Sequence, residues 1–498
     1  MQLQFERQEI PCLHTLKRET QIQEQTQELR ISDGMPDAGS IIGVWGQPIL
    51  RGKEWLGDGM TVSGGTMVWI QYQPEEGGQP QCLETWLPFQ MRWDFPQAQH
   101  DGTIFTQCIL RSVDARTISA RKMMVRTNVS VTAWAMERGH CEIYAPGELP
   151  DDIQLLTKTY PVQLPAEAGE KAFSLEESLS LPPSAPVLEK LLHYRLVPEI
   201  TEEKLMGDKI IFRGNAQLHI LYASDDGGQY AWDFDLPFTQ YGELEDTYGD
   251  DAQILLWPCV TALEIDTEEN GMHVKVGLVC QFRVSHRPLI QVVEDAYSPR
   301  RGITPVREEL ELPGILEEKK QSIPILQTVA IDGMRLTDVE FTPFGAAVQK
   351  ENDGFSLRIP GQFQLLYYDM EGNLRTHIQR WEHAETIPSA ENVNIDAVVW
   401  PKGVPQGNLM SGSAQVSSHL HLTTQISSGT PISVINALEL GEIVQSDPQR
   451  PSLVIRRSEG KTLWELAKEH GSTVNAIRES NGISEEPDRT QMLLIPVT

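Results

Sequence analysis

The chain has 498 residues and is 40% hydrophobic, which predicts several folded domains and argues against a disordered chain. Its 41 basic and 70 acidic residues give a formal net charge of −29, so phosphate backbones and anionic lipid headgroups would repel it. We therefore exclude nucleic acid as a partner. We also expect no direct membrane insertion, because no apolar run approaches the ~18 residues of a spanning helix.

The first residues and the cysteines both indicate a cytoplasmic protein. Residues 1–19 mix charges with single apolar residues and contain no apolar core of signal-peptide length. The six cysteines are scattered and make no C-x-x-C pair, which is typical of reduced thiols. We therefore expect the chain to stay in the cytoplasm of the cell that makes it.

Three segments of the chain share one pattern, a strand that ends in tyrosine and is followed by an acidic turn with glycine. The strands end at Tyr72, Tyr222 and Tyr367, at intervals of 150 and 145 residues. Glycine supplies the positive φ that a tight hairpin turn needs, so each segment predicts a β-hairpin. The recurrence predicts an internal threefold repeat.

Two further features follow each tyrosine. Leu-Pro-Phe closes the next strand at 87–89 and 236–238, whereas the third copy has tryptophan, glutamate and histidine at 381–383. A long strand then carries apolar residues at every second position, which is typical of a strand with one face on a core and the other in water. We predict these strands at 123–133, 272–284 and 414–426. Each repeat is thus predicted to be an antiparallel β-sandwich or a related β-fold.

The boundaries follow from clusters of proline, glycine and charged residues. We expect one repeat in each of residues 1–148, 172–295 and 308–435, and a terminal domain in 451–498. Residues 188–194 are a candidate helix, which prolines bound upstream. Residues 438–450 resemble a linker.

The last fifty residues predict a strand, two short helices and a second strand. Thr462 and Glu465 have the spacing of a capping box that begins the first helix, and Gly471 ends it. A second helix follows from about residue 474 to 480, and a strand at 492–495 closes the module. The predicted fold class is therefore mostly β and multidomain, with three tandem antiparallel β-sandwich-like repeats and a small C-terminal α+β (βααβ) module.

This terminal module resembles a LysM domain at several spaced positions, among them Gly460, residues 462–464, Asn481 and residues 494–496. The resemblance implies a binding module rather than a catalyst. Its groove would be formed by the loop before the first helix and the loop after the second. The implied partner- or glycan-binding residues are Gly460, Lys461, Thr462, Leu463, Trp464, Asn481, Gly482 and Ile483.

The string at residues 112–122 and the strand-tyrosine-turn elements resemble the SPOCS domain, a spore-coat-associated repeat of endospore-forming bacteria. Three such repeats followed by one LysM domain are similar to SipL-type spore coat morphogenetic proteins. The resemblance implies a mother-cell protein at the forespore or spore surface. Its implied partners are a stage IV sporulation protein A-like coat morphogenetic ATPase, which polymerises on the forespore surface, and other coat proteins.

Two functions remain open at this point. The first is a non-enzymatic adaptor of spore coat assembly whose LysM-like module docks the coat ATPase. The alternative is a protein whose LysM-like module binds peptidoglycan or chitin-like N-acetylglucosamine polymers. Many LysM domains have aspartate where this chain has Lys461, and the reversed charge favours an acidic protein partner over a glycan.

Motifs of catalysis and cofactor binding are missing. The sequence has no G-x-S-x-G, H-E-x-x-H or G-x-G-x-x-G pattern. His419 and His421 share one face of a predicted strand, but no third metal ligand is evident. We therefore predict no catalytic residues, no cofactor and no metal, and we expect that the protein is not an enzyme.

Overall fold

The computed structural model describes residues 2–96, 98, 101–160, 163–268, 271–310, 314–351, 354–388, 393–428, 431–443 and 451–497. Antiparallel strands dominate these residues, and the two helices found in them both lie near the C-terminus. None of the helices described is both long enough and apolar enough to cross a membrane. The six cysteines are free thiols. The mostly β, multidomain fold predicted from the sequence is confirmed.

Three parts of the chain each form two small facing sheets, which we call sandwiches 1, 2 and 3. A short strand comes first, followed by the six strands of sandwich 1. Their bounds are β1 (Gln2–Gln4), β2 (Glu6–Arg30), β3 (Ala38–Trp55), β4 (Gly59–Pro74), β5 (Gln81–Asp94), β6 (Gly102–Ser119) and β7 (Lys122–Ala145). The two sheets of sandwich 1 have the orders β2-β7-β6 and β3-β4-β5.

Sandwich 2 repeats this arrangement with six strands after a connecting strand. The bounds are β8 (Gln154–Tyr160), β9 (Leu164–Leu179), β10 (Leu188–Met206), β11 (Lys209–Ser224), β12 (Gln229–Glu243), β13 (Gln253–Glu268) and β14 (Gly271–His286). Its sheets have the orders β9-β14-β13 and β10-β11-β12, so the first strand again pairs with the last. Residues 188–194 therefore lie in strand β10, and the helix predicted there is wrong, because these residues pair with β11 along the sheet.

Sandwich 3 keeps the order and adds two short strands. Two connecting strands, β15 (Ile290–Tyr297) and β16 (Arg301–Leu310), precede it. The bounds of its own strands are β17 (Ile315–Val329), β18 (Gly333–Pro343), β19 (Ala347–Glu351), β20 (Gly354–Asp369), β21 (Leu374–Ile387), β22 (Val393–Pro401), β23 (Gln406–Met410) and β24 (Ser413–Ser428), of which β19 and β23 are the added ones. Its sheets are β17-β24-β22, with β23 also on β24, and β18-β20-β21, with β19 also on β20. Sandwiches 1, 2 and 3 thus share one strand order.

The chain ends in one more long strand and a small module. The bounds are β25 (Ile432–Ile443), β26 (Leu453–Arg457), α1 (Leu463–His470), α2 (Val474–Asn481) and β27 (Met492–Pro496). Residues 438–443 therefore belong to a strand, which corrects the linker predicted over 438–450, and residues 444–450 lie outside the described residues. We call residues 451–497 the C-terminal module; its order β-α-α-β confirms the small α+β module.

The repeated sequence features have a structural reason. The apolar positions of 123–133, 272–284 and 414–422 face the cores from the central strands β7, β14 and β24. The hydroxyls of Tyr72 and Tyr222 donate to the carbonyls of Pro36 and Pro186, at 3.0 and 3.2 Å. Each bond ties the end of a strand to the turn 36 residues earlier. The tyrosines therefore fix how the chain enters the second sheet of sandwiches 1 and 2.

The Leu-Pro-Phe feature of the first two copies has a structural reason. Phe238 lies opposite Gly214 on the neighbouring strand, and a Cβ on that glycine would come within 2.4 Å of its ring. Phe89 lies opposite Gly64 in the same way. In sandwich 3 the matching place holds Ile359 opposite His383. The aromatic ring over a glycine is therefore a contact that sandwiches 1 and 2 share and sandwich 3 replaces.

The connecting strands gather into two small sheets, which we call the junction. One has the order β1-β25-β16 and the other pairs β15 with β8. Their apolar residues pack together in one cluster that includes Phe5, Val293, Ile435 and Leu438. The junction thus joins the N-terminus, the links between the sandwiches and the segment after sandwich 3.

Each sandwich contacts the other two, and the contacts repeat. The residue three places before the repeated tyrosine contacts another sandwich: sandwich 1 contacts 2, 2 contacts 3, and 3 contacts 1. It lies against a bulge in strand β10, β18 or β3, respectively. The bulge in β3 holds Gly43, which has no side chain, so Gln364 of sandwich 3 bonds the residues that follow this glycine. The contacts are Trp69 with His193 (ring centroids 4.9 Å apart), His219 with Asp338 (2.9 Å), and Gln364 with Trp45 Nε1 (3.2 Å, in the carboxamide orientation that satisfies both). The sandwiches therefore surround a common axis.

The polar face of the long strand β14 is buried against the other two sandwiches. Gln281 and Arg283 lie on the face of the strand at 272–284 that the alternation predicts to be in water, but both are buried. The Gln281 carboxamide exchanges two 2.9 Å hydrogen bonds with the backbone of Thr106 in sandwich 1. Arg283 pairs with Glu318 of sandwich 3 at 2.9 Å. The polar face of β14 is thus an interface with both neighbours.

Candidate interaction site

A buried charged cluster lies where sandwiches 2 and 3 meet near the common axis. His219 in β11 has Asp338 of sandwich 3 at 2.9 Å from Nε2 and Asp233 at 2.6 Å from Nδ1. Arg195 in β10 pairs with Glu340 at 3.3 Å. All of these side chains except Asp233, which is 46% exposed, are nearly buried, so their charges act on one another with little screening. We call these residues, with His193, the axial cluster.

The two histidines of the axial cluster have opposite pKa shifts. Burial by itself would lower the pKa of His219, but the carboxylates of Asp338 and Asp233 raise it to about 9. Burial holds the pKa of His193 well below its ordinary value, against a weaker pull from Asp338. The charge of His219, with that of Arg195, in turn holds the pKa of Asp338 far below its usual range despite burial. His219 is thus a cation and His193 a neutral ring near neutral pH.

The free energy of unfolding should therefore depend on pH in both directions. His219 binds its proton more tightly in the folded chain than in the unfolded chain, so its contribution is full below about pH 6.5 and is lost as pH rises through 9. We expect a loss of about 3 kcal/mol over that range, measured by urea unfolding at each pH. His193 excludes its proton when folded, so stability also falls below about pH 6.5.

The control for this pH profile is a more exposed histidine. His219→Gln should remove the alkaline decline, whereas His273→Gln, at a partly exposed pair with Glu176, should leave it in place. An unchanged decline in the His219→Gln chain would contradict the role of this side chain.

A cavity of about 210 Å³ lies next to the axial cluster. Strands of all three sandwiches line it, and Pro48, Pro198 and Pro343 occupy matching positions on three of them. Arg195 and Glu340 are its charged lining residues. Within the described part of the chain, no group of three or more His, Cys, Asp or Glu is placed to hold a metal ion. His421, half of the pair considered for a metal, instead lies 3.3 Å from Glu199 of sandwich 2.

The C-terminal module is held together by the caps that its sequence predicts. Thr462 Oγ1 accepts from the Glu465 amide at 3.2 Å, and the Glu465 carboxylate accepts from the Thr462 amide at 2.8 Å. Gly471 and Gly482 end the helices with positive φ of 63°. Behind these caps is a small core that includes Leu463, Leu466, Ala467, Ile477, Leu493 and Ile495.

The predicted binding residues fall into different environments. Gly460, Lys461 and Thr462 are exposed in the loop before α1, whereas Leu463 is fully buried. The exposed Gly482 caps α2. Ile483 is half-buried against the core. The predicted set therefore contains both surface and core residues.

Asn481 has a structural role that the sequence did not reveal. Its carboxamide donates to the carbonyl of Leu494 at 2.7 Å and accepts from the amide of Leu494 at 2.8 Å. Leu494 lies in β27, so Asn481 satisfies the outer edge of that strand. A separate strand cannot pair with β27 at this point.

The backbone amides at the start of α1, in the groove that the LysM resemblance implies, already have partners. The Leu463 amide donates to the Glu486 carboxylate at 2.7 Å, and the Thr462 amide is held within the capping box. Lys461 Nζ lies 2.6 Å from the carboxylate of Glu469 in α1. A glycan in this groove would have to displace carboxylates from these donors.

Trp464 contacts the junction instead of an open groove. Its Nε1 donates to Asp295 in β15 at 2.9 Å, and its ring meets Tyr297 edge-on with centroids 4.7 Å apart. Lys468 pairs with the same aspartate at 2.7 Å. The Tyr297 hydroxyl donates to the carbonyl of Ser472 at 3.0 Å. The C-terminal module is therefore docked on the junction through α1.

Comparison with known proteins finds a similarity over part of the chain. A family model described as SipL, SPOCS domain, matches residues 188–276, which run from the first residue of β10 into β14. Neither the curated proteins nor the solved structures gave a match. Over this part of sandwich 2 the chain is thus similar to the SPOCS domain of SipL-type proteins.

Proposed function

We propose that this protein is a non-enzymatic adaptor of spore coat assembly. The observation that carries the proposal is the SPOCS-domain match at residues 188–276, within the second of three sandwiches that share one strand order. In this proposal all three sandwiches are SPOCS-like domains. The protein acts in the cytoplasm of the mother cell, at the surface of the forespore.

The C-terminal module supplies the docking function in this proposal. Its caps and its β-α-α-β order support the LysM-like assignment. It docks a coat morphogenetic ATPase similar to stage IV sporulation protein A, while the sandwiches contact other coat proteins. The occupied groove amides and the Lys461–Glu469 pair favour a protein partner over a glycan.

A capture experiment tests this function. The intact chain and a chain that ends at Arg450 are immobilised, and purified coat ATPase is passed over both. We expect capture by the intact chain only. Circular dichroism of both chains checks that the sandwiches remain folded, and equal capture would remove the C-terminal module from this role.

Calorimetry with chitin oligomers tests the alternative of a glycan-binding module. We expect no heat of binding to the intact chain, because carboxylates already occupy the groove amides. Clear binding of chitin oligomers together with no capture of the ATPase would favour the alternative.

A further inference from the structure

One edge of the small sheet in the C-terminal module is open. Strand β26 pairs with β27 and with no other strand that the structure describes. The Val497 amide donates to the carbonyl of Ser452, and the Ser458 amide donates to the carbonyl of Gln491, both at 3.0 Å. Since alternate residues of an antiparallel strand face the partner strand, these bonds fix which residues of β26 face away.

The open groups belong to Leu453, Ile455 and Arg457. Residues 452, 454, 456 and 458 have the parity that faces β27, so the amides and carbonyls of the other three point outward. The bonds of Asn481 agree with this parity, since Leu494 lies opposite Ile455 and turns its own backbone groups away from β26. An unpaired row of this kind accepts an added strand.

The side chains around this edge are unusually apolar for a surface. Leu453, Ile455, Met492 and Leu494 lie on the outer face of the two strands and are 47%, 58%, 55% and 36% exposed. The opposite face, with Leu493 and Ile495, packs on the helices. A contiguous exposed apolar patch of this kind is typical of an interaction surface.

The charge at the edge favours an acidic partner. Arg457 shares the outer face with Ile455, and Arg456 precedes it. Both arginines are exposed. Arg457 forms no ion pair with a residue in the described ranges, whereas Arg456 adds to the effect of Lys461 in lowering the pKa of Glu469. Arginine forms forked hydrogen bonds with carboxylates, so an acidic segment would pair well here.

We propose that an extended segment of the partner protein, with alternating apolar residues and flanking carboxylates, adds as a strand to the free edge of β26. Its backbone bonds Ile455, its apolar residues cover the outer face, and its carboxylates pair with Arg456 and Arg457. This is strand addition, in which backbone bonds supply affinity and side chains supply specificity. The inference rests on the proposed function, since that function requires a protein partner for the C-terminal module.

The test uses the full-length chain and purified coat ATPase in biolayer interferometry. Ile455→Pro removes the outward amide and spares the ladder to β27, because proline is tolerated where the amide faces solvent. We expect its dissociation constant to rise at least about tenfold, a loss of about 1.4 kcal/mol. Ile455→Val keeps the amide and most of the apolar surface, and should bind within about twofold of the unmodified chain.

Charge reversal supplies an independent measurement. Arg457→Glu should weaken binding and reduce its dependence on salt, whereas Arg30→Glu, a reversal on an exposed arginine of sandwich 1, should change neither. Thermal unfolding of each variant checks that the module stays folded. Binding of both Ile455→Pro and Arg457→Glu like the unmodified chain would overturn the strand addition.

Two further outcomes identify which idea fails. If removing residues after Arg450 abolishes binding while the edge variants bind normally, the adaptor function stands and the edge proposal falls. If the intact chain does not bind the ATPase, both the adaptor function and the strand addition are wrong. Sedimentation of the chain alone completes the test, because a dimer that Ile455→Pro dissociates would assign the edge to a second copy and overturn the proposal.

Discussion

Replacing Asp338 by alanine is expected to lower the free energy of unfolding by about 3–5 kcal/mol, the cost of removing one partner of a buried ion pair. The Asp338 side chain is 2% exposed and lies 2.9 Å from His219 Nε2. Without it, the folded chain must keep a charged His219 in a buried site with only Asp233 as partner, or give up the proton. Urea unfolding at pH 6.5 measures the loss.

The size of this effect should also depend on pH. Near pH 9 His219 is already losing its proton, so Asp338→Ala should cost less there than at pH 6.5. Asp33→Ala is the control, because that side chain is 89% exposed in its pairs with arginine. Equal losses for the two variants would contradict the account of the axial cluster.

Replacing Tyr297 by alanine is expected to release the C-terminal module from the junction. The ring is 6% exposed and packs with Trp464 and the core of the module, and removing a buried aromatic ring costs about 3–5 kcal/mol. We expect the backbone amides of α1 to exchange with deuterium much faster in this variant. Amide exchange followed by mass spectrometry makes the measurement.

The matched control for Tyr297 keeps the ring. Tyr297→Phe loses only the bond to the carbonyl of Ser472 and should cost about 1 kcal/mol. If α1 is protected equally in the alanine variant and the unmodified chain, the contact does not hold the module in place.

Much of each sandwich could be predicted from local pattern. The alternation in 123–133 and 272–284 identified strands whose apolar side faces a core, because a strand's side chains alternate between its faces. The capping residues Thr462 and Gly471 identified the first helix of the module for an equally local reason. Such patterns depend only on residues within the strand or helix itself, so they can be recognised without knowing its neighbours in the fold.

What the sequence did not reveal depends on contacts between distant elements. Gln281 and Arg283 are polar residues on an alternating strand, and nothing local distinguishes a face in water from a face on another sandwich. Residues 188–194 are a helix candidate in the sequence, bounded upstream by prolines, yet pairing with β11 determines their conformation. Tertiary pairing overrides such weak local preferences.

In the candidate site, too, the sequence indicated local features and did not indicate contacts between distant residues. The resemblance to LysM domains indicated the loops around Lys461 and Gly482, which are exposed. It did not indicate that Trp464 would contact Asp295, because that aspartate lies far away in the chain. The open edge of β26 has no mark in the sequence either, since Leu453 and Ile455 are residues typical of any strand.

The junction has a consequence for how the protein is made. Gln2 pairs with Glu439, and Leu3 with Leu438, so the beginning of the chain meets a strand synthesised hundreds of residues later. Sandwich 1 pairs its own strands and can begin to form on the ribosome, but the sheet of β1, β25 and β16 must await synthesis of β25. Such high contact order slows folding and leaves strand edges open meanwhile. We therefore expect the junction to close only after translation has passed Ile443.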